Sequence, residues 1–106
     1  MTAPLPIGAL RHRLALERSS LDANAETVWT AIDTVFAAIS PISAREVETG
    51  GAMAGTVTHR IEMRFRADVS SRDRLRDGAR IFRIVVARDL DERRNRLIVL
   101  AEEEGR

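Results

Sequence analysis

The 106-residue chain contains no cysteine. That excludes disulfides, thiolate chemistry and cysteine-ligated zinc, and it fits a reducing compartment. Lysine is also missing, so all seventeen basic residues are arginine. Codon bias in a GC-rich genome is one source of that choice. Interface use is another, because guanidinium is less strongly hydrated than ammonium and pairs with carboxylates in a fork. No apolar run approaches the roughly 20 residues that span a bilayer. The opening "MTAPLPIGAL" has neither the basic start nor the apolar stretch of a signal peptide. The expectation is a soluble protein, cytoplasmic at synthesis, without a membrane partner. A net charge of +1 does not by itself supply the concentrated basic patch that general nucleic-acid affinity needs. Aromatics are few: Trp29, Phe36, Phe65 and Phe82, all at positions that fit a core. A surface for single-stranded nucleic acid wants exposed aromatics interleaved with basic residues. In "RIEMRFR", Phe65 falls on the apolar parity, away from the arginines.

Recognisable catalytic constellations are absent as well. His12 and His59 each open a strand and stand alone in sequence, so ordinary hydrogen bonding is expected of them rather than metal binding. "TGGAMAG" lacks the lysine and following helix of a phosphate loop. The serines lie in turns with no histidine nearby, which leaves a catalytic triad unsupported. "DLDERRN" lacks the ligand spacing and closing glutamate of a calcium loop. The chain is read as a non-enzyme with no cofactor and no metal, and an interaction role is favoured.

What the chain does contain is globular: 44% hydrophobic and 31% charged residues in a length suited to one domain, residues 1–106. Residues 1–9 hold Pro4, Pro6 and Gly8 and are expected to form an extended arm. Residues 11–18, "RHRLALER", alternate like a strand. Residues 27–39, "TVWTAIDTVFAAI", fit a helical stripe slightly better by pattern, but their β-branched composition favours a strand with Val28, Ile32 and Phe36 on one face. Residues 43–55 are glycine-rich, with room for a short helix capped by Ser43 and Glu46. In "TVTHRIEMRFR", Ile61, Met63 and Phe65 share one parity; Arg60, Glu62, Arg64 and Arg66 share the other, which predicts a strand with a buried face and an arginine-rich exposed face. "ADVSSRDRLRDG" reads as a polar connection ending in an Asp77-Gly78 turn. "RIFRIVVAR" and "RLIVLA" read as strands joined by a charged hairpin turn, and residues 102–106 as an acidic tail. The fold class is all-β: about five strands with short turns, forming a small antiparallel barrel or sandwich. The expected core is Leu14, Leu16, Ile32, Phe36, Ile61, Met63, Phe65, Phe82, Ile84 and Val99.

Four segments taken in order, "IGALRHRLALER", "VWTAIDTVFAAISPISARE", "VTHRIEMRFR" and "DGARIFRIVVARDLDERRNRLIVLAEE", resemble the phage head–tail joining family, also called head-closure or stopper proteins. That family occurs in tailed phages, prophages and gene transfer agents. The resemblance covers nearly the whole chain. It departs from the family after "SARE", where the segment is short and glycine-rich and lacks the long Ala/Gln stretch of many members.

The resemblance implies a small β-barrel with a long loop between its second and third strands, so residues 27–39 are assigned as strand. It also implies a homo-oligomeric ring, usually a hexamer, in the neck of a virion or phage-like particle. The portal and adaptor ring would lie on the head side and a tail terminator or other tail protein on the other. DNA would pass through the channel without sequence recognition. In such a ring Arg60, Glu62, Arg64 and Arg66 become candidates for the ring or adaptor interface. Asp89, Asp91, Glu92, Glu102, Glu103 and Glu104 are the possible acidic partners. The 43–55 loop, with Arg45, Glu46, Glu48, Gly50, Gly51 and Gly55, becomes a candidate channel loop. The competing function is a small nucleic-acid-binding β-barrel.

Overall fold

A computed structural model of the chain describes residues 4–42 and 57–104. Six strands, β1 (His12–Leu21), β2 (Thr27–Pro41), β3 (His59–Arg64), β4 (Asp73–Asp77), β5 (Arg80–Asp89) and β6 (Arg96–Glu103), close into a barrel in the order β1-β2-β3-β6-β5-β4. Every neighbouring pair is antiparallel. Closure satisfies the backbone of each strand on both sides wherever the wall is complete. The candidate channel-loop residues Arg45, Glu46, Glu48, Gly50, Gly51 and Gly55, and the short helix expected near them, lie outside the described residues. No helix among the described residues is long and apolar enough to cross a membrane.

The strand residues follow from alternation. Leu14 and Leu16 of β1, Ile61 and Met63 of β3, Leu75 of β4, Phe82 and Ile84 of β5, and Val99 and Ala101 of β6 are fully enclosed. Each sits on the inward parity of its strand. Ile39, Phe65 and Ala87 pack against this cluster while partly exposed. β4 is the sixth strand, within a stretch read from sequence as a connection. Its segment "DRLRD" has one apolar residue, so no alternation marks it. Leu75 faces the core, and the buried Asp73 enters as a charge partner rather than as an apolar side chain.

β2 corrects the predicted core. Leu14 lies opposite Val35 and Arg13 opposite Phe36, so the odd residues Val35 and Ala37 face inward and Phe36 faces out. Leu16 then lies opposite Asp33, and Glu17 opposite Ala31. Ile32 is therefore an extra residue, a β-bulge, and the parity of β2 reverses below it. Ile32 is 40% exposed and Phe36 52% exposed, so neither is core. Trp29 is likewise not enclosed: it lies on the outer wall beneath the Arg74 guanidinium, 4.2 Å from its ring centroid. Both parities of β2 carry apolar residues, which is why alternation alone chose the wrong one.

The turns follow local chemistry. At the β1–β2 turn the Asp22 carboxylate accepts the Asn24 and Glu26 amides at 2.8 and 3.0 Å, and Ala25 takes φ 60°. A turn followed by a left-handed residue is a usual form of three-residue hairpin loop. Between β4 and β5 only Gly78 and Ala79 intervene, and Gly78 has φ 59°, the sign a tight hairpin requires at its first central position.

The N-terminal arm is not extended throughout. Ile7–Ala9 form a 3-10 turn, Leu10 is buried, and Leu5 is docked on the barrel wall by two side chains described below. At the other end, β6 continues through Glu103, so the start of the acidic tail is sheet.

Candidate interaction surface

Eight of the fifteen arginines among the described residues have carboxylate partners within the chain. Across the outer wall one row runs Glu17 (β1), Arg74 (β4), Arg83 (β5), Glu102 (β6), each opposite the next. Arg74 and Arg83 are like charges directly opposite, which alone would be unfavourable. Each is met from its far side: Arg74 Nε lies 2.6 Å from Glu17, and Arg83 pairs with Glu102.

Each end of the barrel carries its own polar cluster. At one end Arg18 donates to both oxygens of the fully buried Asp73, at 2.9 and 3.3 Å. Asp73 also accepts the Ser70 amide at 3.0 Å. Beside it Arg66 forks onto Asp68 at 3.0 Å through each of two nitrogens and also pairs with Asp33. The Arg66 hydrogen bonds hold the Asp68 carboxyl down at about 2 and lower that of Asp33. The hydrogen bond to Asp73 raises the Arg18 pKa. At the opposite end Arg80 donates to both oxygens of Glu103 at 2.8 and 3.1 Å, which raises the arginine's pKa. His59 Nε2 lies 3.8 Å from the same carboxylate, and its ring meets Phe82 edge-on at 5.1 Å. The Thr58 hydroxyl accepts the Glu103 amide at 2.8 Å and lies 2.9 Å from His59 Nδ1.

The four residues singled out on β3 and just after it fall into three situations. Glu62 is 1% exposed rather than solvated, because the N-terminal arm crosses the outer face of β3. Its Oε2 accepts the Leu5 amide and the Arg96 guanidinium, both at 2.8 Å, and Arg96 also donates to the Leu5 carbonyl oxygen. A glutamate–arginine pair thus takes both backbone groups of one arm residue, much as a neighbouring strand would. Arg60 sits partly exposed, 3.9 Å from the other Glu62 oxygen. Arg66 is held by Asp33 and Asp68. Arg64 differs: it is exposed and has no ion pair among the described residues. Of the six acids considered as partners, three are engaged within the chain, Glu102 and Glu103 as above and Asp89 with the Arg94 amide at 2.9 Å.

Arg64 borders two shallow hollows. One is shared with Asp33, Val35, Phe36 and Phe65, the other with Ile7, Leu10 and Phe36. The 52% exposed Phe36 stands between them, and Arg13 lies over its ring at 6.0 Å. Arg64 was singled out from the sequence, but Phe36 was assigned to the core, so the apolar surface beside the arginine was missed. Its available signal was length: a strand candidate of thirteen residues set against short neighbours must leave part of one edge uncovered. No three His, Asp or Glu side chains among the described residues are grouped to hold a metal ion.

None of the curated proteins matches the chain in sequence. Two solved structures share its fold over most of their length. The solution structure of protein SF1141 from Shigella flexneri 2a superposes with a TM-score of 0.75 at 26% identity, covering 95% of this chain and 98% of that one. A chain in the virion of a native gene transfer agent particle superposes with a TM-score of 0.61 at 25% identity, covering 89% and 94%. The model of the phage head completion protein family matches residues 5–104, from the docked arm residue Leu5 to the end of the described chain. The chain, a closed six-stranded antiparallel barrel, belongs to the phage head completion protein family.

Proposed function

We propose that this protein is a head-closure subunit of the neck of a tailed phage or phage-like particle. Copies form a ring, in the hexameric arrangement implied by the family resemblance, between the portal or adaptor on the head side and the tail. The ring retains packaged DNA and allows the tail to join. The observation that carries this reading is the likeness to a chain of a gene transfer agent virion over 89% of the protein. The protein is made in the cytoplasm and enters the particle on assembly.

Within the ring, Arg64 is the member of the Arg60, Glu62, Arg64 and Arg66 group available to a neighbour, since the others have acidic or basic partners in the same chain. Glu62 contributes indirectly by fixing the arm over the same face. On this reading residues 43–55, which lie outside the described residues, serve as the channel loop. Its charges, Arg45, Glu46 and Glu48, include two acids that repel DNA mildly and suit a gate that must reopen. The competing reading, a nucleic-acid-binding barrel, is weakened by the carboxylate partners of eight of the fifteen described arginines, which offset that share of the positive charge a phosphate backbone would need.

The test is incorporation into particles. Arg64→Glu is expected to leave the fold unchanged but to yield heads that leak DNA or lack tails in electron micrographs. Shortening residues 50–55 is expected to leave the melting temperature nearly unchanged while DNA retention or tail joining fails. Normal particles from both variants, or DNA binding by the isolated chain that weakens steeply with salt, would overturn the proposal.

A further inference from the structure

β2 is longer than the wall it belongs to. Of its fifteen residues, only residues 37–41 pair with β3, whereas β1 accompanies it back to Thr27. Residues 27–36 therefore present one strand edge with no ladder partner among the described residues. Proteins usually keep such edges short, charged or covered. This one is long, and it carries Val28, Ile32 and Phe36, each at least 40% exposed. It is locally covered at Asp33, whose carboxylate accepts the Thr34 amide at 2.8 Å and pairs with Arg66.

The charges at the two ends of this edge are opposite, and both lack a partner. At the hairpin tip Glu26 is exposed, and its carboxylate has no ion pair among the described residues. At the base Arg64 is exposed and equally unpaired, and it lines the groove that Thr34 and Phe36 border.

We propose that this edge is a self-association surface: β2 of one copy pairs antiparallel with β2 of a second copy about a twofold axis. Antiparallel pairing sets the tip of each hairpin against the base of the other. With residues 27–33 of both copies aligned, Glu26 of one falls opposite Thr34 of the second copy, at the mouth of the groove that Arg64 lines. Two Glu26–Arg64 pairs then form, one at each end. A parallel arrangement would set Glu26 against Glu26 and leave both arginines unmet. A second copy fits better than a foreign strand because both complementary charges sit on this one chain. Seven paired residues make a contact one strand wide and only roughly 23 Å long, a smaller surface than the standard interface of about 1,600 Å². The dimer is accordingly weak and reversible, a form in which soluble copies shelter the edge before they meet a particle. The inference does not rest on the ring.

Sedimentation velocity of the full chain, from about 10 μM to about 1 mM at low salt, tests it in the weak-affinity range. The expected result is a monomer–dimer equilibrium that added salt weakens. Glu26→Arg and Arg64→Glu are both surface changes, and each alone is expected to reduce association about tenfold by turning two attractive pairs into repulsive ones. An equimolar mixture of the two variants is expected to recover association, because their heterodimer meets opposite charges at both ends. Amide exchange over residues 27–33 is expected to slow as concentration rises. A monomer at every concentration would overturn the proposal and leave the edge to a foreign strand. A dimer indifferent to both substitutions, or a mixture that fails to recover, would overturn it by pointing to another surface. A six-fold species without a dimer would overturn it while favouring the ring.

Discussion

The Asp68 carboxyl illustrates how an exposed residue acquires a measurable property from its neighbours. Arg66 grips it through two nitrogens and also reaches Asp33, and both carboxyls are lowered, Asp68 to about 2. A carboxyl whose pKa is depressed on folding contributes stability above its unfolded value, near 3.9, and loses it as pH falls toward the folded value. The expected outcome is a decline in stability from this group between about pH 4 and pH 2. Solvent exposure keeps the contribution small. In Arg66→Ala the Asp68 carboxyl is expected to titrate in the ordinary range, and this part of the acid sensitivity to disappear. Carboxyl-detected NMR titration and urea melts across that interval check both. Glu62 is the contrasting case. Its place on the polar parity of β3 was legible from alternation, but its burial was not, because the arm that covers it lies 57 residues away in sequence.

At the scale of the element, β2 separates what pattern can reveal from what it cannot. Strand rather than helix was readable from the β-branched composition together with the family resemblance, and residues 27–41 are strand. The inward parity was not readable, because Val35 and Phe36 are both apolar and a single bulge at Ile32 reverses the alternation. The two phenylalanines test that assignment. Phe82 is fully enclosed, and Phe82→Ala is expected to cost about 3–5 kcal/mol. Phe36 stands on the outer wall, and Phe36→Ala is expected to cost less than about 1 kcal/mol. Denaturant melts of both variants give the comparison; equal losses would return Phe36 to the core. β4 shows the opposite failure. One leucine among four charged residues carries no periodic signal, and its strand exists because β1 and β5 supply hydrogen bonds on both sides.

For the whole molecule, β4 is the closing element of the barrel. It meets β1 over only four residue pairs, ending at Arg18 opposite Asp73. The buried Asp73 ties β1 to β4 through Arg18 and holds the preceding turn through the Ser70 amide. Removing it takes the acceptor from the Ser70 amide and leaves Arg18 only Asp68, so Asp73→Ala is expected to cost about 3 kcal/mol. Because closure couples all six strands, the loss is expected to appear as an earlier single transition rather than a separate first step. Circular dichroism and tryptophan fluorescence, followed together through a urea melt, measure it.

The all-β class, the inward residues of β1, β3, β5 and β6, the tight turn at Gly78 and the lack of any recognisable catalytic motif were legible in the order of residues alone. Each rests on contacts or conformations that adjacent residues impose. The ordered motifs of the sequence also carried the family resemblance. Only the tertiary structure decided that β4 is a strand, that Phe36 faces out, that Glu62 is buried beneath the arm, and that most wall arginines find carboxylates in the same chain while Arg64 does not. Those outcomes depend on which distant strands become neighbours and where a bulge shifts register. Barrel closure selects both by satisfying backbone hydrogen bonds and apolar burial around the whole wall at once.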